Sequence, residues 1–268
     1  MKNDILKTNS NSTIIAEKLS IGYQTSNEVI AIAQDIQFSM QEGELGAIVG
    51  GNGIGKSTLL RTLAKIQPSL SGTIQILGKP LIDYRDLDLA KVISLVLTEP
   101  IASKNMTVSE LIALGRQPYT NWLGTLAAND IAKVKEVMEM VSLKAIAHKK
   151  CFEISDGQLQ RVMIARALAQ DTEIIMLDEP TTHLDLYHKV QILKLLRNIA
   201  KETGKTILFT SHEIELSIQL CDKMLLMNTD RYSFGTPNEL IALGAFDKLF
   251  PSDTVTFNSE TRNFQIND

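Results

Sequence analysis

Residues 50–57 constrain this chain more than any other stretch. Gly50, Gly51, Asn52, Gly53, Ile54, Gly55, Lys56 and Ser57 fit the pattern G-x-x-x-x-G-K-[ST] in full. The run 45–49 before it is short and apolar, as a buried strand is, and from Lys56 to Ile66 apolar residues recur at helical spacing until Pro68. A glycine-rich turn between a buried strand and a helix is a cradle for phosphate. The glycines let successive backbone N–H groups turn inward without a Cβ in the way, and the helix N-terminus adds partial positive charge. Lys56 is placed to neutralise the outer phosphates, and the Ser57 hydroxyl, followed by Thr58, to ligate a divalent cation.

A second motif belongs with the first. Within the strand expected at 173–177, residues 174–177 form an apolar run that ends in Asp178 and Glu179. In a parallel sheet, ligands collect at the carboxyl ends of strands, where this pair falls. Asp178 is expected to hold Mg²⁺, and Glu179 to polarise an attacking water.

The rest of the chain supplies a matching frame. Further strands are expected at 13–16, 30–40, 73–77, 92–97, 206–210 and 223–227, with helices at 187–202 and 213–220. Alternation of this kind means a mostly parallel sheet with helices on its faces. Between about 99 and 158 strand signal is scarce. Thr107 and Glu110 form a capping box, and 128–141 has an amphipathic pattern, so a helical insertion is expected. Residues 1–11 read as a mobile arm and 251–268 as a polar tail. The 268 residues are 44% hydrophobic and 22% charged, enough for one sizeable domain with an embedded subdomain. A formal net charge of −4 argues against a broad grip on nucleic acid. No stretch approaches the ~18 apolar residues of a spanning helix, and the polar N-terminus lacks a signal peptide's apolar core. Cys151 and Cys221 stand apart in no metal-like spacing. A cytoplasmic protein is expected.

At this point the chain resembles the ATP-binding subunits of ABC transporters. Ile154-Ser155-Asp156-Gly157-Gln158 is similar to the family's signature Leu-Ser-Gly-Gly-Gln, and the helix after it leads to the acidic strand. Thr182-His-Leu-Asp185 looks like the D-loop, His212 like the switch histidine, and Tyr23 like the aromatic that stacks on adenine. Other readings stand beside these. Ser155 and Gln158 also make a capping box, His212 could be a loop histidine, and Tyr23 a packing aromatic. His148, His183 and His188 read as surface or packing residues.

The resemblance implies an α/β P-loop NTPase: a RecA-like core with a parallel-rich sheet, an N-terminal antiparallel β part, and a helical subdomain at about 99–166 within a domain spanning 12–250. It implies ATP and Mg²⁺, and two copies closing head to tail, with each ATP between one copy's phosphate loop and the other's Ser155 and Gly157. It also implies a separate permease, a substrate-binding protein beyond it, and a place on the inner face of the cell membrane. Two residues depart from the family pattern. Glu99 stands where the family has a glutamine that reaches Mg²⁺ and water, and Asp156 replaces a glycine. A carboxylate at 99 can still ligate the ion, and Asp156 is expected to point away from the nucleotide.

The segment Leu114-Gly-Arg116-Gln-Pro118-Tyr119 looks like the Gly-Arg-x-Pro stretch of importers for iron–siderophore, haem and cobalamin complexes, in the region that faces the permease. The competing class is a soluble ABC ATPase of DNA or ribosomes. Those proteins carry a coiled coil or a second cassette, which this sequence lacks.

Overall fold

The computed structural model describes residues 12–25, 28–98, 104–228, 231–250 and 254–267. Residues 1–11 and Glu99, both singled out above, lie outside the described residues. Strands β1 (Ser12–Gln24) and β2 (Val29–Gln41) pair antiparallel over most of their length. The strand expected at 13–16 is therefore much longer, continuing through a register shift where Lys18 takes φ +48°. Next come β3 (Leu45–Gly50), helix α1 (Lys56–Leu63), β4 (Ser71–Ile76), the two-residue β5 (Lys79–Pro80) and α2 (Asp86–Leu89). β4 and β5 extend the antiparallel sheet in the order β2-β1-β4-β5.

β6 (Ile93–Val96) begins the second half. The segment after it holds α3 (Val108–Ala113), α4 (Ala128–Met140) and α5 (Asp156–Ala169), joined by 3-10 turns. Its described residues contain no strand, only an isolated bridge between Thr107 and Lys150. Thr107 caps α3 with the reciprocal Glu110 bond expected from sequence. The chain then alternates: β7 (Ile174–Leu177), α6 (Leu186–Thr203), β8 (Thr206–Ser211), α7 (Ile214–Leu220), β9 (Lys223–Met227), β10 (Tyr232–Gly235) and α8 (Pro237–Ala242). The six-stranded sheet runs β10-β9-β3-β8-β7-β6, parallel throughout except at β10.

The alternation of side chains along the central strands divides the core in two. Ile48, Ile174, Met176 and Leu208 face a cluster shared with α1 and the antiparallel sheet. Ala47, Val49, Ile175, Leu177 and Phe209 face the other way, into the helices α3 to α8. The first of these faces is thus covered largely by the N-terminal antiparallel sheet that the resemblance implies, where strand–helix alternation alone points to helices. The carboxyl-terminal stretch, expected as a polar tail, forms the hairpin β11 (Val255–Asn258) and β12 (Asn263–Ile266). Phe257 of that hairpin stacks on Phe246 at a centroid distance of 4.8 Å, Phe264 meets Phe250 edge-on at 5.1 Å, and both hairpin rings join the helical cluster.

Candidate active site

Three neighbouring strands set the site. β3 lies beside β8 and β8 beside β7, with Val49 opposite Ser211 and Leu177 opposite Phe209. The segments leaving their carboxyl ends, 50–55, Asp178-Glu179 and His212, therefore emerge along one edge of the sheet.

The phosphate loop depends on glycine at two points. Gly55 has φ +103°, and a Cβ there would lie 2.5 Å from Ile32 Cγ2 on β2. A Cβ on Gly50 would lie 2.4 Å from the Met227 carbonyl oxygen. Gly55 begins α1 without a side-chain cap, so the N–H groups of the first turn have no such partner. Asn52 and Gly51 are exposed, and Ile54 is half-buried. Lys56 is buried, and its ammonium donates to the carbonyls of Gly50 at 3.0 Å and Gly51 at 2.9 Å. Burial pushes its pKa down, and the nearby carboxylates of Glu179 and Asp178 push back. Thr58 is buried and its Oγ1 lies 3.2 Å from the hydroxyl of half-exposed Tyr23, which pins that ring beside α1.

Asp178 is the hub of a hydroxyl cluster. Its Oδ1 accepts from Ser57 Oγ at 2.8 Å and Thr210 Oγ1 at 2.7 Å, and its Oδ2 from Thr98 Oγ1 at 3.2 Å. Thr210 in turn accepts from the Glu179 N–H at 2.8 Å, so one hydroxyl ties both acids to β8. Glu179 itself sits at φ +47°, in the left-handed region that a non-glycine residue rarely adopts. Its Oε2 accepts from Thr182 Oγ1 at 3.0 Å, and its Oε1 lies 2.5 Å from His212 Nε2. His212 Nδ1 is 3.5 Å from Lys56 Nζ. A proton on Nε2 satisfies both neighbours, with Nδ1 accepting from lysine and Nε2 donating to the carboxylate.

The structure thus brings Tyr23, Lys56, Ser57, Thr58, Asp178, Glu179 and His212 together. Ser155, Gly157, Gln158 and Asp185 stand apart: among the described residues no hydrogen bond links them to residues 50–58. Ser155 and Gln158 make the reciprocal capping box of α5, at 3.3 and 3.1 Å. Asp156 is exposed on the first turn, and Gly157 is buried. Asp185 caps α6 through the His188 N–H at 2.9 Å. Gly115 and Arg116 of the Gly-Arg-x-Pro stretch are buried, whereas Trp122 beyond them is 91% exposed. Sequence reasoning missed Thr98 and Thr210, and gave Thr182 only as the start of the D-loop stretch, not as a partner of Glu179. For Thr210 the sequence offers only a hydroxyl near the end of an apolar strand, which does not single it out.

A loop of this kind at the edge of a parallel-rich sheet, with a carboxylate pair on the neighbouring strand end, defines a P-loop nucleotide hydrolase. The ABC transporter family model matches residues 33–182. The chain is 37% identical over 243 residues to the iron(3+)-hydroxamate import ATP-binding protein of Bacillus subtilis, covering 90% of this chain and 89% of that one. Among solved structures, an inward-facing ABC transporter described as of metal-chelate type matches with TM-score 0.74 and 28% identity, over 86% of this chain and 85% of that one. A dimeric ATP-binding cassette in a post-hydrolysis state with ADP and Pi matches with TM-score 0.69 and 26% identity, over 82% and 97%. The chain belongs to the ABC transporter family. It is one of that family's ATP-binding proteins, which hydrolyse ATP to power transport.

Proposed function

We propose that this ATPase powers uptake of an iron chelate through a separate permease, working as two identical copies on the cytoplasmic face of the membrane. The observation that carries the reading is the chain of contacts from Lys56 through His212 to Glu179 beside the Asp178 hydroxyl cluster. The substrate class draws on the names of the relatives, an iron(3+)-hydroxamate importer and a metal-chelate transporter. Haem and cobalamin complexes are the other chelates in range. No helix among the described residues is long and apolar enough to cross a membrane, so a partner must provide the path.

In this reading the loop 50–55 and the first turn of α1 wrap the phosphates, and Tyr23 stacks on the adenine. Lys56 turns from the Gly50 and Gly51 carbonyls to the β- and γ-phosphates. Ser57 and Asp178 fit Mg²⁺: they are hard oxygen donors, one hydroxyl and one carboxylate, the set that ion takes together with substrate phosphates. Glu99 is the proposed third oxygen ligand. The ion would neutralise charge on the phosphates. Glu179 takes the proton of the attacking water while His212 holds its carboxylate and meets the γ-phosphate. Because Ser155, Gly157, Gln158 and Asp185 lie apart from the phosphate loop of their own chain, they are assigned to the nucleotide of a second copy, closing the site as the head-to-tail arrangement requires. Residues 12–250 form the ATPase domain in this reading, and about 99–166 the subdomain that turns toward the permease.

The test is to solubilise membranes of the native host carrying tagged Glu179→Gln protein, with ATP and Mg²⁺, and to identify what co-purifies. A polytopic permease supports the reading, and its binding protein identifies the chelate. Ribosomes or DNA-bound proteins in its place would remove the transport assignment.

A further inference from the structure

His188 does more than its place on α6 requires. Its backbone N–H completes the Asp185 cap. In addition, Nδ1 lies 2.9 Å from both Asp185 Oδ1 and Oδ2, so the ring holds the carboxylate itself. Tyr187 packs edge-on against the ring at 5.4 Å. The far edge of the imidazole rests on Gly157: a Cβ at that glycine would come within 3.0 Å of His188 Cδ2. One turn further along both helices, Arg161 Nη2 donates to Gln191 Oε1 at 2.5 Å. Two rungs, Gly157–His188 and Arg161–Gln191, therefore join the start of α5 to the start of α6.

We propose that His188 is a positioning residue which sets the spacing between Asp185 and Gly157 within one chain, so that both meet the second copy as a single pre-ordered surface. This rests on the head-to-tail dimer reading. Association orders whatever side chains and loops are loose in the separate molecules, and ordering them beforehand lowers that cost. His188 makes no hydrogen bond with residues 50–58, so its effect falls on closure and not on nucleotide capture by the single chain.

The experiment uses the Glu179→Gln protein, in which ATP persists, and reads the ATP concentration at half-maximal dimer by light scattering on a sizing column. Nucleotide affinity of the monomer is read separately with a fluorescent ATP analogue in dilute protein. Adding His188→Ala is expected to raise the ATP requirement about five- to tenfold, with monomer affinity held within about twofold. His188→Asn, whose amide N–H can replace Nδ1, should recover part of the loss. Gly157→Ala should cost less when combined with His188→Ala than alone, because the ring that the new methyl meets is gone. An unchanged ATP requirement in His188→Ala would overturn the proposal, as would an equal loss of monomer affinity. If the Glu179→Gln parent stays monomeric at saturating ATP, the dimer reading fails first, and the His188 role goes with it.

Discussion

His212 Nε2 donates to Glu179 Oε1 across 2.5 Å, and this bond fixes the carboxylate where β7 and β8 end side by side. If the pair acts as one unit, removing either half should cost nearly as much as removing both. Glu179→Gln should lower kcat by about 10²- to 10⁴-fold, the usual range for a general base. His212→Ala should lower it too, and the double variant should fall well short of the product of the two losses. Steady-state phosphate release decides the matter, since fully multiplicative losses would mean independent roles.

Thr210 carries a larger share of this site than its size suggests. It is fully buried, donates to Asp178 and accepts from the Glu179 N–H. Thr210→Val keeps the shape and takes one hydrogen-bond partner from the buried Asp178 carboxylate and one from the part-buried Glu179 N–H, at a cost of about 1–3 kcal/mol. Urea unfolding should show that loss, and ATPase assays a fall in kcat. Thr210→Ser, which retains the hydroxyl, should stay close to the parent in both.

Tyr23 separates stacking from hydrogen bonding. Its hydroxyl reaches Thr58 Oγ1 at 3.2 Å while half of the residue stays exposed. Base stacking on an aromatic is worth about 1–3 kcal/mol, so Tyr23→Ala should weaken ATP binding roughly tenfold or more. Tyr23→Phe should bind nearly as the parent does. Titration with a fluorescent ATP analogue distinguishes the two, and a weak Phe variant would mean that the hydroxyl matters more than the ring.

A pH dependence follows from the buried pair Arg116–Asp130, whose Nε and Oδ1 are 2.8 Å apart. The Ala127 N–H, and then the Arg116 guanidinium, hold the Asp130 carboxyl below its ordinary range. A depressed acid adds stability that is complete above the ordinary carboxylate value, about pH 3.9, and drains away as pH falls below it. Asp130→Asn should therefore unfold at lower temperature than the parent at neutral pH. The gap should narrow as pH falls below the ordinary carboxylate range and the parent carboxyl takes up its own proton. A gap that stays constant across that range would show that charge at 130 contributes nothing.

The parts of the site that touch phosphate were legible in sequence because the ligand dictates local chemistry: a glycine where a Cβ would strike Ile32, a lysine and a serine after it, and acids at a strand end. Thr210 was not legible, because a threonine closing an apolar strand reads equally well as β-propensity. The stretch Gly115-Arg116 carries a resemblance in sequence but no sign of its packing: Arg116 finds its counter-ion on α4 and donates to the Ala169 carbonyl at the end of α5. A Cβ on Gly115 would lie 2.1 Å from the Arg166 carbonyl oxygen. Such a clamp between separated helices leaves no local periodicity. The terminal hairpin was missed for a similar reason: its strands are four residues long, and their phenylalanines make sense only against Phe246 and Phe250.

Glu179 keeps its carboxylate beside His212 at the expense of a left-handed backbone, a conformation that costs a non-glycine residue on the order of 1–3 kcal/mol. Selection for heat resistance alone would therefore drift toward glycine at this position. Such a protein would be hardier, still able to grip nucleotide, and idle. The residue that makes the molecule an engine is one that its own folding would gladly exchange.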